Sequence, residues 1–127
     1  MKTRYAVALA VATGFGLGAI AIQGLHAQAK PPIYVVNELE VTDQSGFKTY
    51  AEHQAVLIKK NGGRYIVRGG KVTAIEGTTP KRSTIYVFDS MDKFQAWRAE
   101  PEQKELMVSR DKVAKFTSSY AVEGLGN

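Results

Sequence analysis

Apolar and polar residues along this chain change their period several times, and each change marks an element. From Tyr5 to Leu25 there is no period at all. The run is uncharged and apolar, preceded by the basic Lys2 and Arg4 and followed by Ala27-Gln28-Ala29. A charged start, an apolar middle and an A-x-A end make the pattern of a secretory signal. Residues 1–29 are therefore expected to be a signal peptide, cut after Ala29, and the rest of the protein to be periplasmic or secreted. An uncleaved membrane anchor is the alternative, since a spanning helix needs about 20 apolar residues. Only in that case is a membrane a partner. The small residues flanking Gln28 favour cleavage. Gly14-Phe15-Gly16-Leu17-Gly18 lies inside the apolar run with no strand before it, so a nucleotide loop is rejected.

After the extended lead-in Lys30-Pro31-Pro32 the period becomes two. Ile33, Val35, Leu39 and Val41 share one face of a strand, with Asn37 the polar exception, and Tyr34, Val36, Glu38 and Glu40 share the other. Beyond the turn at Thr42–Gly46, helical spacing links Phe47, Tyr50, Ala51, Gln54, Leu57 and Ile58, and Asn61-Gly62-Gly63 ends the helix. Strands are predicted over Arg64–Arg68, briefly over Lys71–Glu76, and over Arg82–Asp89. Ser90 caps a helix carrying Met91, Phe94 and Trp97, and Pro101 restarts the pattern through Leu106, Met107 and Val113. A last strand runs from about Lys115 to Val122.

With the brief strand folded into a hairpin, the order is β-α-β-β-α-β. This is an α+β, ferredoxin-like fold with an antiparallel sheet and its helices on one face, making a single domain of residues 30–127. The other sheet face then has no cover from its own chain. It is expected to carry Tyr34, Val36 and Glu38, with Tyr86 and Phe88 as well if Ile85 and Val87 face the helices. Two copies packed on that face would bury it and enclose a cavity between the sheets, which makes a homodimer the expected state.

Charge and composition mainly exclude. Removing Lys2 and Arg4 lowers the net charge from +5 to +3, with no long basic run, so no nucleic acid partner is expected. The chain has no cysteine, and His53 is the single histidine beyond residue 29. Disulfides, thiol nucleophiles, thiolate metal sites and sites needing two imidazoles are excluded. No metal and no cofactor are expected on this count, apart from one haem alternative below. Serine-hydrolase, phosphate-loop and zinc-protease motifs do not occur in residues 30–127.

The run Val41-Thr42-Asp43, Gly62-Gly63-Arg64-Tyr65, Val67-Arg68-Gly69-Gly70, Glu76-Gly77, Pro80-Lys81-Arg82 and Ala96-Trp97 resembles the bacterial family called domain of unknown function 1330. The resemblance implies a ferredoxin-like dimeric α/β barrel and no established activity. After Trp97 the sequence departs from the family pattern, which places Tyr, Ser and Tyr near Arg98, Glu100 and Gln103. The later Arg110 matches.

Five residues are candidates for binding. Arg64 and Arg68, four apart on a strand, are expected on one face. There they clamp a carboxylate or phosphate if the face lines a cavity, or pair with Glu38 or Glu76 if it is a solvated edge. His53, at the edge of its helix's apolar face, is either a partly buried packing residue or a general base or single axial haem ligand. Trp97 reads as core with an indole N–H in need of a partner. Glu38 lies on the uncovered face. Glu76 and Arg82 flank a turn and are expected to pair across it. The leading expectation is a homodimer holding a small organic or anionic ligand between its sheets. An oxygenase-like or haem enzyme using His53 is one alternative, and an interaction module without ligand is another.

Overall fold

The computed structural model describes residues 30–126. The expected signal peptide and its cleavage site at Ala29 lie outside the described residues. β1 (Ile33–Val41) alternates in burial as it does in sequence. Ile33, Val35, Asn37 and Leu39 are buried, and Tyr34, Val36 and Glu38 are half-buried. Asp43 then opens α1 (Gln44–Lys60) by accepting the Gly46 backbone N–H at 3.1 Å, which satisfies one of the free donors of the first turn. At the other end Gly62, at φ +81°, turns the chain. The N–H groups of Gly62 and Gly63 donate back to Lys59 and Ile58 at 3.0 and 2.8 Å.

β2 (Arg64–Arg68) and β3 (Arg82–Phe88) follow. Ser90 caps α2 (Met91–Arg98) by accepting the Lys93 N–H, α3 (Gln103–Val113) starts after Pro101, and β4 (Ala114–Glu123) closes the sheet. The strands lie in the order β2-β3-β1-β4 with every neighbouring pair antiparallel. This is the expected ferredoxin-like order, with α2 and α3 together in the second helical place. Among the described residues, Lys71–Glu76 forms no strand. The segment leaves the sheet at Gly69 beyond the edge strand β2, and Ile75 is 95% exposed.

One core joins helices and sheet. Phe47, Tyr50, Leu57 and Ile58 of α1, Trp97 of α2 and Leu106 of α3 pack on Val35, Leu39, Tyr86, Phe88 and Ala114. A large apolar side chain buried in this way contributes about 1.5–3 kcal/mol. The register corrects the conditional expectation for β3. Val35 pairs with Tyr86 and Ile33 with Phe88, so those two aromatics face the helices, and Ile85 and Val87 share the uncovered face with Val36 and Tyr34.

Two bulges decide where side chains point. On β4 the register shifts opposite Glu38 and Leu39, so Phe116 and Ser119, three apart, both face the helices. On β2 it shifts between Tyr65 and Val67. Arg64 pairs with Val87 on the uncovered face, whereas Arg68 pairs with Thr84 on the covered one. The expectation that Arg64 and Arg68 share a face is thereby overturned. The extra residue, Ile66, breaks the period of two on which it depended.

Candidate functional site

The helix-covered face of the sheet is polar at its middle. Asn37, only 3% exposed, donates through Nδ2 to Thr84 Oγ1 at 3.1 Å. Its Oδ1 accepts the Ser119 hydroxyl at 2.6 Å. Above this row, Gln54 occupies a position in the apolar stripe of α1 and is 2% exposed. Its Oε1 accepts the Trp97 indole N–H at 2.9 Å and the Gln103 amide at 3.1 Å. Gln54 Nε2 donates to Gln103 Oε1 at 2.9 Å and, more weakly, to the Tyr50 hydroxyl at 3.4 Å. Gln103 Nε2 also reaches the Trp97 carbonyl at 3.1 Å. Buried amides are tolerated when satisfied in this way, and each then fixes the orientation of its neighbours.

Between the polar row and the amide pair lies a cavity of about 340 Å³. Asn37, Tyr86, Phe116 and Ser119 form its sheet wall, Tyr50 and Gln54 its α1 wall, and Trp97, Gln103 and Met107 its α2–α3 wall. Its charged lining residues are Arg98, Lys104 and Arg110, and no carboxylate lines it. A much smaller space of about 20 Å³ shares Asn37, Tyr50, Gln54, Tyr86 and Phe116 with it and extends to Tyr65, Arg68 and Arg82. Beyond Arg68 and Arg82 an outer groove of about 570 Å³ runs along Phe47, Lys48, Ala51 and Glu52. Both larger spaces lie between helices and sheet within one chain, whereas the sequence predicts a cavity between the sheets of two copies.

Burial raises the Tyr65 hydroxyl to about 12, against the pull of Arg68. Burial likewise raises Tyr50, against its hydrogen bond with Gln54, and Tyr86, against the nearby Asn37 side chain. All three phenols are neutral at pH 7, so each offers a hydroxyl donor and acceptor rather than a base. The aromatic rings run on from one space to the next. Trp97 and Tyr86 meet edge to face at 5.3 Å between centroids, and Tyr86 and Tyr65 at 5.2 Å.

Of the five binding candidates singled out from sequence, Trp97 and Arg68 reach this region. Trp97 also has the indole partner its burial requires. Arg64 points from the uncovered face, as does the half-buried Glu38, which pairs with Ser83 and Ser118 there. His53 is exposed on α1 and lines none of these spaces. Glu76 is exposed in the β2–β3 loop and forms no ion pair with Arg82 among the described residues, so the pair expected across that turn is not made. Arg82 turns instead into the groove beside Arg68. Gln54, Asn37, Tyr50 and Gln103 were not among the candidates. Their signal was a polar side chain at an apolar position, visible for Asn37 and Gln54.

The family described as a domain of unknown function, DUF1330, matches residues 32–125. The chain belongs to this family. Two solved structures similar to this DUF1330 protein are of RPA0582, a protein of unknown function from Rhodopseudomonas palustris. One is 15% identical with a TM-score of 0.56, covering 81% of this chain and 88% of that one. The methylated form is 13% identical with a TM-score of 0.59, covering 83% and 90%. SnoaB, a cofactor-independent oxygenase from Streptomyces nogalater, is 15% identical with a TM-score of 0.50, covering 72% of this chain and 91% of its own. At these identities the likeness is one of fold. No curated protein matches the sequence.

Proposed function

We propose that this protein is exported and that it binds a small organic molecule in the cavity between its helices and its sheet, as a homodimer joined through the uncovered sheet face. The cavity carries the reading. It is a half-open cleft with a polar row in its floor and cationic side chains at its mouth, the concave mixed lining that small-molecule sites have. Here about 340 Å³ is left beneath a fully bonded amide pair, a volume within the range of small-molecule sites. Neutral phenols, amides and three cationic side chains favour a ligand rich in hydrogen-bond acceptors.

The dimer rests on the other face. Tyr34, Val36 and Ile85, half-buried, lie there beside Tyr120 and Val122, which are 51% and 48% exposed. A second copy of the same face is the self-complementary cover for such a surface. Export rests on Lys2, Arg4, the apolar run and Ala27-Gln28-Ala29. An oxygenase reading centred on His53 has no geometric support, since that imidazole is exposed and away from the cavity.

Native mass spectrometry of the protein recovered from its own cell envelope tests the three parts together. The expected species is a dimer of chains beginning at Lys30 with a retained small molecule. Chains beginning at Met1 in the membrane fraction overturn export, a monomer at micromolar concentration overturns the interface, and a mass equal to bare protein after exposure to cell extract overturns ligand binding.

A further inference from the structure

The bulge that sends Arg64 to the uncovered face brings Arg68 next to Arg82. Arg68 faces Thr84 across the ladder, and Arg82 lies two residues from Thr84 on the same face of β3. The two side chains therefore rise from diagonal positions, within reach of one another. Neither forms an ion pair among the described residues, whereas Arg110 has Asp111 at 3.1 Å. Each guanidinium is positioned by an aromatic ring. Arg68 Cζ lies 4.6 Å from the Tyr65 centroid and Arg82 Cζ 5.0 Å from that of Phe47.

Arg82 is also given its space by the backbone. Gly69 has φ +74°, and a Cβ there would fall 2.5 Å from Arg82 Cζ. The glycine thus makes room for the guanidinium rather than for a ligand. Arg82 Nε is buried and has no hydrogen-bond partner among the described residues. A buried charged donor without an acceptor is costly, and an anion removes that cost. Planar guanidiniums with donors to spare suit a planar, bidentate acceptor.

We propose that Arg68 and Arg82 form an anion site for the carboxylate of an organic acid, whose body lies in the outer groove along Phe47 and Ala51. The carboxylate accepts from the two arginines at the narrow inner end of that groove. The site is separate from the main cavity and does not depend on what the cavity holds.

Calorimetry with benzoate, benzamide and inorganic phosphate tests this on protein produced from the full chain and purified from the envelope. Benzoate is expected to bind, and benzamide, the neutral isostere, at least about tenfold more weakly. Arg68→Gln and Arg82→Gln each weaken benzoate by at least about tenfold. Arg64→Gln, on the opposite face, leaves it unchanged. Arg68 is exposed, so its substitution reads binding even if Arg82→Gln lowers the melting temperature. Equal binding of benzoate and benzamide, an equal loss from Arg64→Gln, or no benzoate binding at millimolar concentration overturns the site. Phosphate binding as tightly as benzoate overturns the organic-acid assignment. The single tryptophan, Trp97, lines the main cavity and not the groove, so its fluorescence follows cavity ligands independently.

Discussion

The two faces of the sheet are made from the same four strands and do opposite things. On the covered face, Asn37, Thr84 and Ser119 are bonded in a row, Tyr65 and Tyr86 touch edge to face, and Arg68 and Arg82 turn toward a groove. On the uncovered face, Tyr34, Val36, Ile85 and Val87 alternate with nothing polar between them until Glu38 and Arg64. The covered face thus holds a polar row within an apolar core of Val35, Leu39, Tyr86 and Phe88, and the other face carries Tyr120 and Val122 about half exposed. The difference teaches that a polar row inside a core must be met by specific partners, as Asn37 is by Thr84 and Ser119, whereas a half-exposed apolar surface is the kind that the proposed second copy would cover.

The sharpest way to break the comparison is at the centre of the covered face. Gln54→Leu preserves size but removes the acceptor of Trp97 Nε1 and both amide bonds to Gln103. The buried Trp97 N–H is left unsatisfied, while the half-buried Gln103 keeps its bond to the Trp97 carbonyl, so a loss of roughly 1–3 kcal/mol is expected in urea unfolding. A loss below about 0.5 kcal/mol, the size of an ordinary surface change, would mean that the amide network is not what organises this face.

A smaller effect on the chain, with a larger one on assembly, is expected opposite. Tyr120→Glu places a charge on the uncovered face where Tyr120 pairs with Val36. Monomer stability should change by less than about 0.5 kcal/mol, because the side chain is already half exposed. The dimer should weaken by at least about tenfold, or 1.4 kcal/mol, in sedimentation equilibrium. An unchanged dimer would place the interface elsewhere.

The same contrast explains what could be read from sequence. Elements were legible because their signals are local: alternation in Ile33–Val41, the turn at Thr42–Gly46, the Ser90 cap, and the stop at Asn61-Gly62-Gly63. The faces of β3 were not, because Ile85, Tyr86, Val87 and Phe88 are all apolar and alternation is lost. Arg64 and Arg68 were separated by one extra residue, Ile66, whose bulge exists only in pairing with β3. Arg82 was assigned to Glu76 by nearness in sequence, whereas its groove is formed by α1, far away in the chain. Gln54 announced itself as a polar residue in an apolar stripe, but its partner Gln103 is 49 residues distant. Local chemistry and the antiparallel ferredoxin-like order survived the reading, and register and side-chain partners across the fold did not.

The smallest effect is silent at neutral pH and concerns the phenols, all three of which lie on the covered side. Tyr65 is raised from 10.0 to about 12, chiefly by burial. The folded chain therefore holds the Tyr65 proton more tightly than the unfolded chain does. The stability linked to it is fully present below pH 10 and is lost as pH rises toward 12, since the folded state binds more protons across that window. Burial raises Tyr50 and Tyr86 in the same direction. Tyr65→Phe removes one of these three contributions and leaves the ring that lies against Tyr86 and under Arg68. Wild type and variant should differ by a constant amount up to pH 10, after which wild type should lose stability faster. Urea unfolding of both proteins at stepped pH measures the difference directly. Parallel curves through pH 12 would show that Tyr65 titrates alike in the folded and unfolded chain, and that the helices do not shield this end of the covered face from water.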